Sequence, residues 1–338
     1  MNMIVRDMVV IGASAGGIEA CSELLKLLPA DFSASIFIVI HLSPQSPSVL
    51  AKILGRHSKI EVKNPNDGEE IQPGKVYVAL ANQHLILKPG VIKLGRGPRE
   101  NGSRPSVDVL FRTAAYSYGE RVIGIVLSGA LSDGTAGLLA IKAGGGIAIV
   151  QTPDEASFGG MPRSALDYVD VDFELHLKDI AAELLKLVAS PATKIPAPSL
   201  GPDSKDLALK EFGTRGLRDG MPGVTTALTC PDCGGAIWEL VIDRFKEFRC
   251  HVGHSFSPEI MLQEQADAVD AEFWKCLRRL EENIQLRKKL AKWAIEEGRE
   301  AVAAEQEQEI KIAERQADFI RHALNFDIGK LSDPNELN

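Results

Sequence analysis

Over residues 1–188, short unbroken apolar runs alternate with stretches whose apolar residues recur three and four positions apart. The runs are MVVIGA (8–13), SIFIVIH (35–41), VYVAL (76–80), VIGIVLSG (122–129) and GIAIVQ (146–151). A run that is apolar at consecutive positions suits a strand buried on both faces, as in a parallel sheet covered by helices. The stretches Ile18 to Leu28 and Thr135 to Ala143 carry helical spacing between such runs. Together they predict a doubly wound, mostly parallel, Rossmann-like α/β sheet. The segment HLILKPGVIKLG breaks the rhythm with two short strands around Pro89-Gly90, which predicts a β-hairpin inserted in this domain.

Beyond it the pattern changes three times. Residues 189–227 are rich in Pro and Gly without apolar periodicity and read as a linker. Residues 228–257 are a small Cys/His/Gly-rich segment, and 258–325 are nearly free of Gly and Pro, before a short tail at 326–338. In 258–325 the positions Leu262, Ala266, Val269, Phe273, Leu277, Leu280 and Ile284 make one apolar stripe. Gly298 interrupts it, and Ile310, Ala313, Ala317, Ile320 and Leu324 resume the spacing, which predicts a helical hairpin or coiled coil. Pairing within the chain, a homodimer through these helices, and docking onto a long partner bundle are the readings open to that stripe.

The chain has 338 residues, 45% hydrophobic and 25% charged, with a net charge of −8. That length suits more than one domain, and that composition excludes a mostly disordered or fibrous chain. The negative balance argues against nucleic acid or an anionic membrane surface as a general partner. No apolar stretch is long enough to insert in a bilayer, and the start shows no signal-peptide pattern, so a cytoplasmic location is expected. Of the five cysteines, Cys21 stands alone in a helical stretch as a core residue and the others fall between 230 and 276. This uneven placement points to metal rather than to a disulfide framework.

The first run ends in Gly12-Ala13-Ser14-Ala15-Gly16-Gly17 and leads directly into a helix. This strand-to-helix turn fits an exposed nucleophilic serine, a phosphate-cradling loop or a plain tight turn. The second run ends at His41, and VIGIVLSG leads through Ala130-Leu131-Ser132 to Asp133. The carboxyl ends of parallel strands open on one edge, so Ser14, His41 and Asp133 converge there. A dinucleotide loop wants an acidic residue at the end of the second strand, where this chain has histidine. The implied chemistry is acyl transfer with Ser14 as nucleophile, His41 as base and Asp133 as its orienting acid. Backbone N–H groups of Ala15 and Ala130 are the oxyanion-hole candidates. The order Ser, His, Asp differs from that of α/β-hydrolases.

IGASAGGIEA, VIHLSP, PNDGEEIQPGKVYVAL, RPSVDVLF, GIVLSGALSDGTAGL and FGGMPRSAL together resemble the catalytic domain of the bacterial chemotaxis methylesterases, the CheB family. The likeness spans residues 4–188 in the same order and similar spacing. It implies hydrolysis of glutamate methyl esters on methyl-accepting chemoreceptors or receptor-like helical proteins, with release of methanol. In many members it also implies deamidation of receptor glutamines, and no cofactor is needed for catalysis. The family's catalytic residues carry over onto Ser14, His41 and Asp133. Arg104, Ser106 and Met161 are candidates for the substrate groove, with an ion pair or helix cap as the alternative for the RPSVD residues. Two departures stand out: the chain opens on the catalytic strand, so receiver-domain control is expected to be absent, and Ala130-Leu131-Ser132 replaces a loop often built with methionine and glycine. A non-catalytic adaptor that binds receptor or a receptor methyltransferase is the rival function.

Cys230-Pro-Asp-Cys233-Gly-Gly followed by Cys250-His251-Val-Gly-His254 has metal-ligand spacing. Three thiolates and one imidazole select zinc, with Cys230, Cys233, Cys250 and His254 as a closed structural set. His251 is the alternative fourth ligand, less suited because it is adjacent to Cys250. A segment this short would need metal to replace the core it cannot build. This predicts a zinc-ribbon-like module, standing apart from the α/β domain and carrying the helices.

Overall fold

The structure, a computed structural model, describes residues 5–43, 45, 49–189 and 223–325. They divide into two compact units, one running to Met261 and one beginning at Leu262. The linker expected at 189–227 and the tail at 326–338 lie almost wholly outside the described residues.

The first unit is built on a seven-stranded sheet of order β3-β4-β2-β1-β7-β8-β9, parallel throughout. Its central strands are β2 (Ser35–Ile40), β1 (Met8–Ala13), β7 (Val122–Val126) and β8 (Ile147–Gln151), every residue of which is buried. Alternation along the strands feeds two cores. Val9, Ile11, Ile36 and Ile38 pack under α1 (Gly17–Leu27), α2 (Leu50–Gly55) and α6 (Leu177–Ala189). Met8, Val10, Phe37 and Val39 face α3 (Val107–Tyr118), α4 (Thr135–Ala143) and α5 (Gly160–Tyr168). Each such side chain contributes roughly 1.5–3 kcal/mol by burial. The expected hairpin is present as β5 (His84–Lys88) and β6 (Val91–Gly95), turning at Gly90 with φ 78°. The apolar pattern did not reveal β3 (Glu61–Lys63), β4's outer neighbour, or β9 (Phe173–Leu175): both are three-residue edge strands, partly exposed and without an apolar run. Strand β4 is Lys75–Val78.

A second sheet, antiparallel, follows in the order β10 (Val224–Thr229), β11 (Ala236–Ile242), β12 (Phe245–Cys250) and β13 (Ser255–Phe256). It starts inside the segment expected to be linker. Nor does it stand apart. Ile242 and Phe245 belong to the same apolar core as the sheet strands, and the Phe245 ring meets Tyr168 of α5 edge-on at 5.3 Å. The module therefore packs on the α/β domain, and the two form one unit.

Helices α7 (Pro258–Glu296) and α8 (Glu300–Asn325) follow, separated at Gly298, whose φ of 72° only glycine adopts freely. Within the second unit Leu277, Ala317 and Ile320 form one buried contact cluster and Ile284, Ile310 and Ala313 another. This is the expected hairpin, but only from Phe273 onward: Leu262 and Val269 remain 71% and 53% exposed. Cys276 is exposed, whereas Cys21 is fully buried in the core as expected.

Candidate active site and metal cluster

Three adjacent strand ends carry the expected chemistry. The turn after β1 is tight because Gly16 takes φ 73° and a Cβ on Gly17 would lie 2.5 Å from that of Ala13. Ser14 is fixed there by its N–H donating to Ser128 O at 2.9 Å, across the ends of β1 and β7. On the other side, His41 N–H donates to Ala13 O at 3.2 Å, which sets the histidine just past β2 beside the serine. These positions flank the point where strand order reverses about β1, the place where open α/β sheets hold ligands.

His41 Nε2 lies 2.6 Å from Asp133 Oδ2. With Nε2 donating to the carboxylate, the other ring nitrogen is left to take a proton. Among the described residues no hydrogen bond joins Ser14 Oγ to His41, a bond that enzymes commonly tighten only with substrate bound.

Asp133 is buried and surrounded by donors. Its Oδ2 accepts from Val107 N–H at 2.7 Å, and its Oδ1 accepts from Ser106 Oγ–H at 3.0 Å, Asp108 N–H at 3.1 Å and Asn101 Nδ2 at 3.0 Å. Burial alone would raise this carboxyl, but hydrogen bonds from His41, Asn101 and Val107 hold it well below the usual carboxylate range. Its neighbour Asp108 goes the other way: burial, then the adjacent Asp133 charge, push its carboxyl well above the ordinary value. Asp108 Oδ1 also accepts from Gly134 N–H and Gly137 N–H, closing the start of α4.

The groove candidates fall elsewhere. Ser106 is fully buried and spends its hydroxyl on Asp133. Met161 is also fully buried, under Gly129, where an added Cβ would lie 2.1 Å from its sulfur. The Arg104 guanidinium binds Asn82 Oδ1 and the carbonyls of Arg96 and Gly97. Ser106 and Met161 are thus closed off from any groove, while the half-buried Arg104 is tied through its guanidinium to neighbouring loops. Ala15 and Ala130 flank the site with more open surroundings, and among the described residues neither N–H has a protein acceptor.

Several contributors escaped the reading of the sequence. His84 is buried, accepts Ser106 N–H at Nδ1 and donates from Nε2 to Pro98 O, so its neutral tautomer is fixed behind Asp133. Burial, the largest influence, lowers its basicity. Asn101 and Glu100 lie in a loop whose composition signals only a turn. The one available signal was in FKEFRC: Glu247 and Arg249 are two apart on a strand, hence on one face, the same face as Phe245.

At the far end of β12, Cys230, Cys233, Cys250 and His254 bring their ligand atoms within 4.8 Å of one another. Cys233 Sγ to Cys250 Sγ is 3.8 Å, and His254 Nδ1 lies 3.7 Å from Cys230 Sγ and 3.5 Å from Cys250 Sγ. A tetrahedron with zinc–sulfur bonds of about 2.3 Å has edges of about 3.8 Å, and sulfur–nitrogen edges of about 3.5 Å. These three separations match such edges, and the donor set is one that suits zinc. His251 is turned to the side, its ring against Gly235, where a Cβ would meet it at 2.5 Å. Tight turns present the ligands, with Gly234 N–H donating to Cys230 O and Gly253 N–H to Cys250 O.

The first half of the chain has known relatives. Residues 9–184 match the family model of the CheB methylesterases. A relative from Leptospira interrogans, named for protein-glutamate methylesterase and protein-glutamine glutaminase activity, is 43% identical over 182 residues, covering 54% of this chain and 94% of its own. The Anaeromyxobacter dehalogenans protein-glutamate methylesterase/protein-glutamine glutaminase 2 is 37% identical over 54% of this chain and 53% of its own. The crystal structure of the Thermotoga maritima CheB methylesterase catalytic domain superposes with a TM-score of 0.52 at 35% identity, covering 54% of this chain and 98% of that one. The Cys/His module and the helices lie beyond the matched residues.

Proposed function

We propose, from the premise that this chain belongs to the CheB methylesterase family, that it hydrolyses glutamate γ-methyl esters on chemoreceptor helices with Ser14, His41 and Asp133 as its catalytic triad. The observation that carries this reading is the 2.6 Å bond from His41 to Asp133 beside Ser14 at adjacent strand ends. Ser14 Oγ attacks the ester carbonyl carbon while its proton passes to the His41 nitrogen not engaged by Asp133. The negative oxygen of the tetrahedral intermediate takes N–H groups of Ala15 and Ala130 as donors, each of which would be worth roughly 3–4 kcal/mol. Collapse expels methoxide, which leaves as methanol with the proton from His41. Water then attacks the acyl-enzyme through the same base and frees the glutamate carboxylate. A glutamine amide follows the same course with ammonia leaving, which accounts for the second activity in the relatives' names.

Asp133 meets the requirement of this mechanism that the acid stay ionised while the imidazole takes and releases a proton, since its donors hold it well below the usual range. Zinc is assigned to Cys230, Cys233, Cys250 and His254, where four protein ligands leave no open position, and its contribution there is to folding rather than to the ester. Thiolate ligands favour a reducing compartment, so we assign the enzyme to the cytoplasm; among the described residues no helix is long and apolar enough to cross a membrane. The partner is a methylated receptor helix. The α7–α8 hairpin is assigned to assembly or receptor docking.

The test is methanol release from a methylated chemoreceptor and from a helical peptide bearing a glutamate γ-methyl ester. Ser14→Ala is expected to lower kcat at least about a thousandfold with substrate binding retained. Undiminished release by Ser14→Ala would sink the triad. Tight receptor binding by the wild type with no turnover would support the adaptor reading instead.

A further inference from the structure

The Cys/His module reaches the catalytic acid. Residues 100 and 101, in the loop before α3, run alongside β13 of the module, with Asn101 N–H donating to Ser255 O at 2.7 Å. Glu100 is buried and takes Arg112 Nη2 at 2.7 and 2.8 Å from α3, and Arg249 Nη2 at 3.3 Å and Ser255 Oγ–H at 3.2 Å from the module. Arg249 in turn donates to Glu247 Oε1 at 2.6 Å. One step along the chain, the Asn101 amide lies between the two sides: its Oδ1 accepts Ser257 N–H at 3.1 Å, and its Nδ2 donates to Asp108 Oδ2 at 2.7 Å and Asp133 Oδ1 at 3.0 Å. Ser257 makes a second link, because Ser132 Oγ–H, on the residue before Asp133, donates to Ser257 Oγ at 2.7 Å.

The chemistry of that amide is directional. The ionised Asp133 can only accept and the Ser257 N–H can only donate, so Asn101 fits in one orientation, NH2 toward the acids and carbonyl toward the module. Turned over, it would set a carbonyl oxygen against Asp133 and Asp108 and an NH2 against an N–H. Ser257 N–H thus fixes which end of Asn101 faces Asp133. The backbone of Asn101, at φ 51°, is in the left-handed region and is held there by the module through Ser255 O. Every donor to Asp133 belongs to the α/β domain, and among the described residues Asn101 is the one whose side chain also bonds the module.

We infer that the C-terminal Cys/His module is a working part of the esterase, acting through Ser257, Asn101 and Ser132 to position Asp133. Turnover by this enzyme therefore requires the module to be folded on its ligand cluster. Asn101 and Ser257 are positioning residues; neither touches the ester. The inference rests on the assignment of Asp133 as the triad acid and adds to it a dependence outside the family-matched residues.

The experiment uses the full chain, with kcat and KM from methanol release on the methyl-ester peptide, zinc content from elemental analysis, and amide hydrogen exchange over residues 224–257. Asn101→Gly keeps the left-handed backbone and removes only the amide; its expected effect is a 10- to 100-fold fall in kcat with KM unchanged, the scale set by misplacing a catalytic group by about 1 Å. Ser257→Pro deletes the N–H together with the hydroxyl that accepts from Ser132 and from Ile260 N–H, leaves the metal ligands in place, and is expected to lower kcat at least as far. Stripping zinc from the wild type, followed by loss of exchange protection in the module, gives at least the same fall, and stripping it from Asn101→Gly adds only the share carried by the Ser132–Ser257 link, so the combined loss is smaller than the product of the two. The inference is overturned by a wild-type kcat in Asn101→Gly, by an unchanged kcat in zinc-stripped protein whose module has lost its protection, or by losses that multiply. Asp133→Asn separates the two levels: if that variant turns over normally, the triad assignment has failed; if it is inactive while the Asn101 and zinc effects are absent, the coupling alone has failed.

Discussion

In the α/β domain every residue of β1 and β2 is buried, and apolar clusters fill both faces of the sheet between six helices. In the module beside it the buried apolar set of its own is Ile237, Leu240 and Phe256, with Cys230, Cys250 and, from the start of α7, Ile260 and Met261. The rest of its interior is polar or borrowed: Arg249 and Glu247 are buried against Glu100, and Ile242 and Phe245 sit in the neighbour's core. A domain with a large core tolerates local loss, because each side chain contributes only a small share of the whole. A small one relies on a few strong links, here a ligand cluster and a buried ionic group, and each link is a point of failure.

Metal removal should separate the two most sharply. Structural zinc in small domains contributes about 10–16 kcal/mol to folding, far more than the module's apolar set can supply. Chelation is expected to abolish exchange protection across residues 224–257 while β1, β2 and β7 keep theirs. Equal loss in both sheets would break the comparison, and would mean that the shared packing of Phe245 and Tyr168 welds them into one cooperative unit.

The same contrast explains what could be read from the chain. The α/β domain was legible because burial on both faces writes unbroken apolar runs, and the proposed triad could be picked out because Ser14, His41 and Asp133 stand at or shortly after the ends of three of those runs. The Cys/His cluster was legible because four ligands that are to meet around one ion impose a spacing on the chain. Asn101, Glu100 and Ser257 were not, since their importance lies in a contact between segments more than 150 residues apart, and no local period encodes it. The module was expected to stand alone for the same reason. Its buried Arg249 was the clue, as an arginine with a fully hidden side chain needs a partner from outside a segment this small.

A substitution in that ionic group should have the next largest effect. Arg249→Met keeps most of the side chain's volume and leaves Glu247 without its ion-pair partner and Glu100 with only Arg112. Removing one member of a buried ion pair typically costs about 3–5 kcal/mol. The expected readout is a lower urea midpoint for the module, with the α/β transition shifted less. A neutral outcome would show that apolar packing of Ile242 and Phe245 holds the module in place without the charges.

The smallest effect, and the most selective, concerns Glu100 and acid. Burial would raise its carboxyl, but Arg112 and Arg249 bring it down from 4.5 to about 2. A carboxyl depressed in the folded state adds stability that is fully present above its unfolded value and is lost as pH falls toward the folded one. The window therefore runs from pH 4.5 down to about 2. At about pH 3.5 the loss amounts to on the order of 1 kcal/mol. Other groups also take up protons in acid, so the measurement is a difference: urea midpoints of wild type and Glu100→Gln compared at each pH. Titrations common to both proteins cancel, and the wild type's advantage is expected to shrink steadily through the window. An advantage that stays constant to pH 3 would mean that Glu100 keeps no depressed carboxyl in the folded protein, and that the ionic group contributes shape at this junction but no charge-dependent stability.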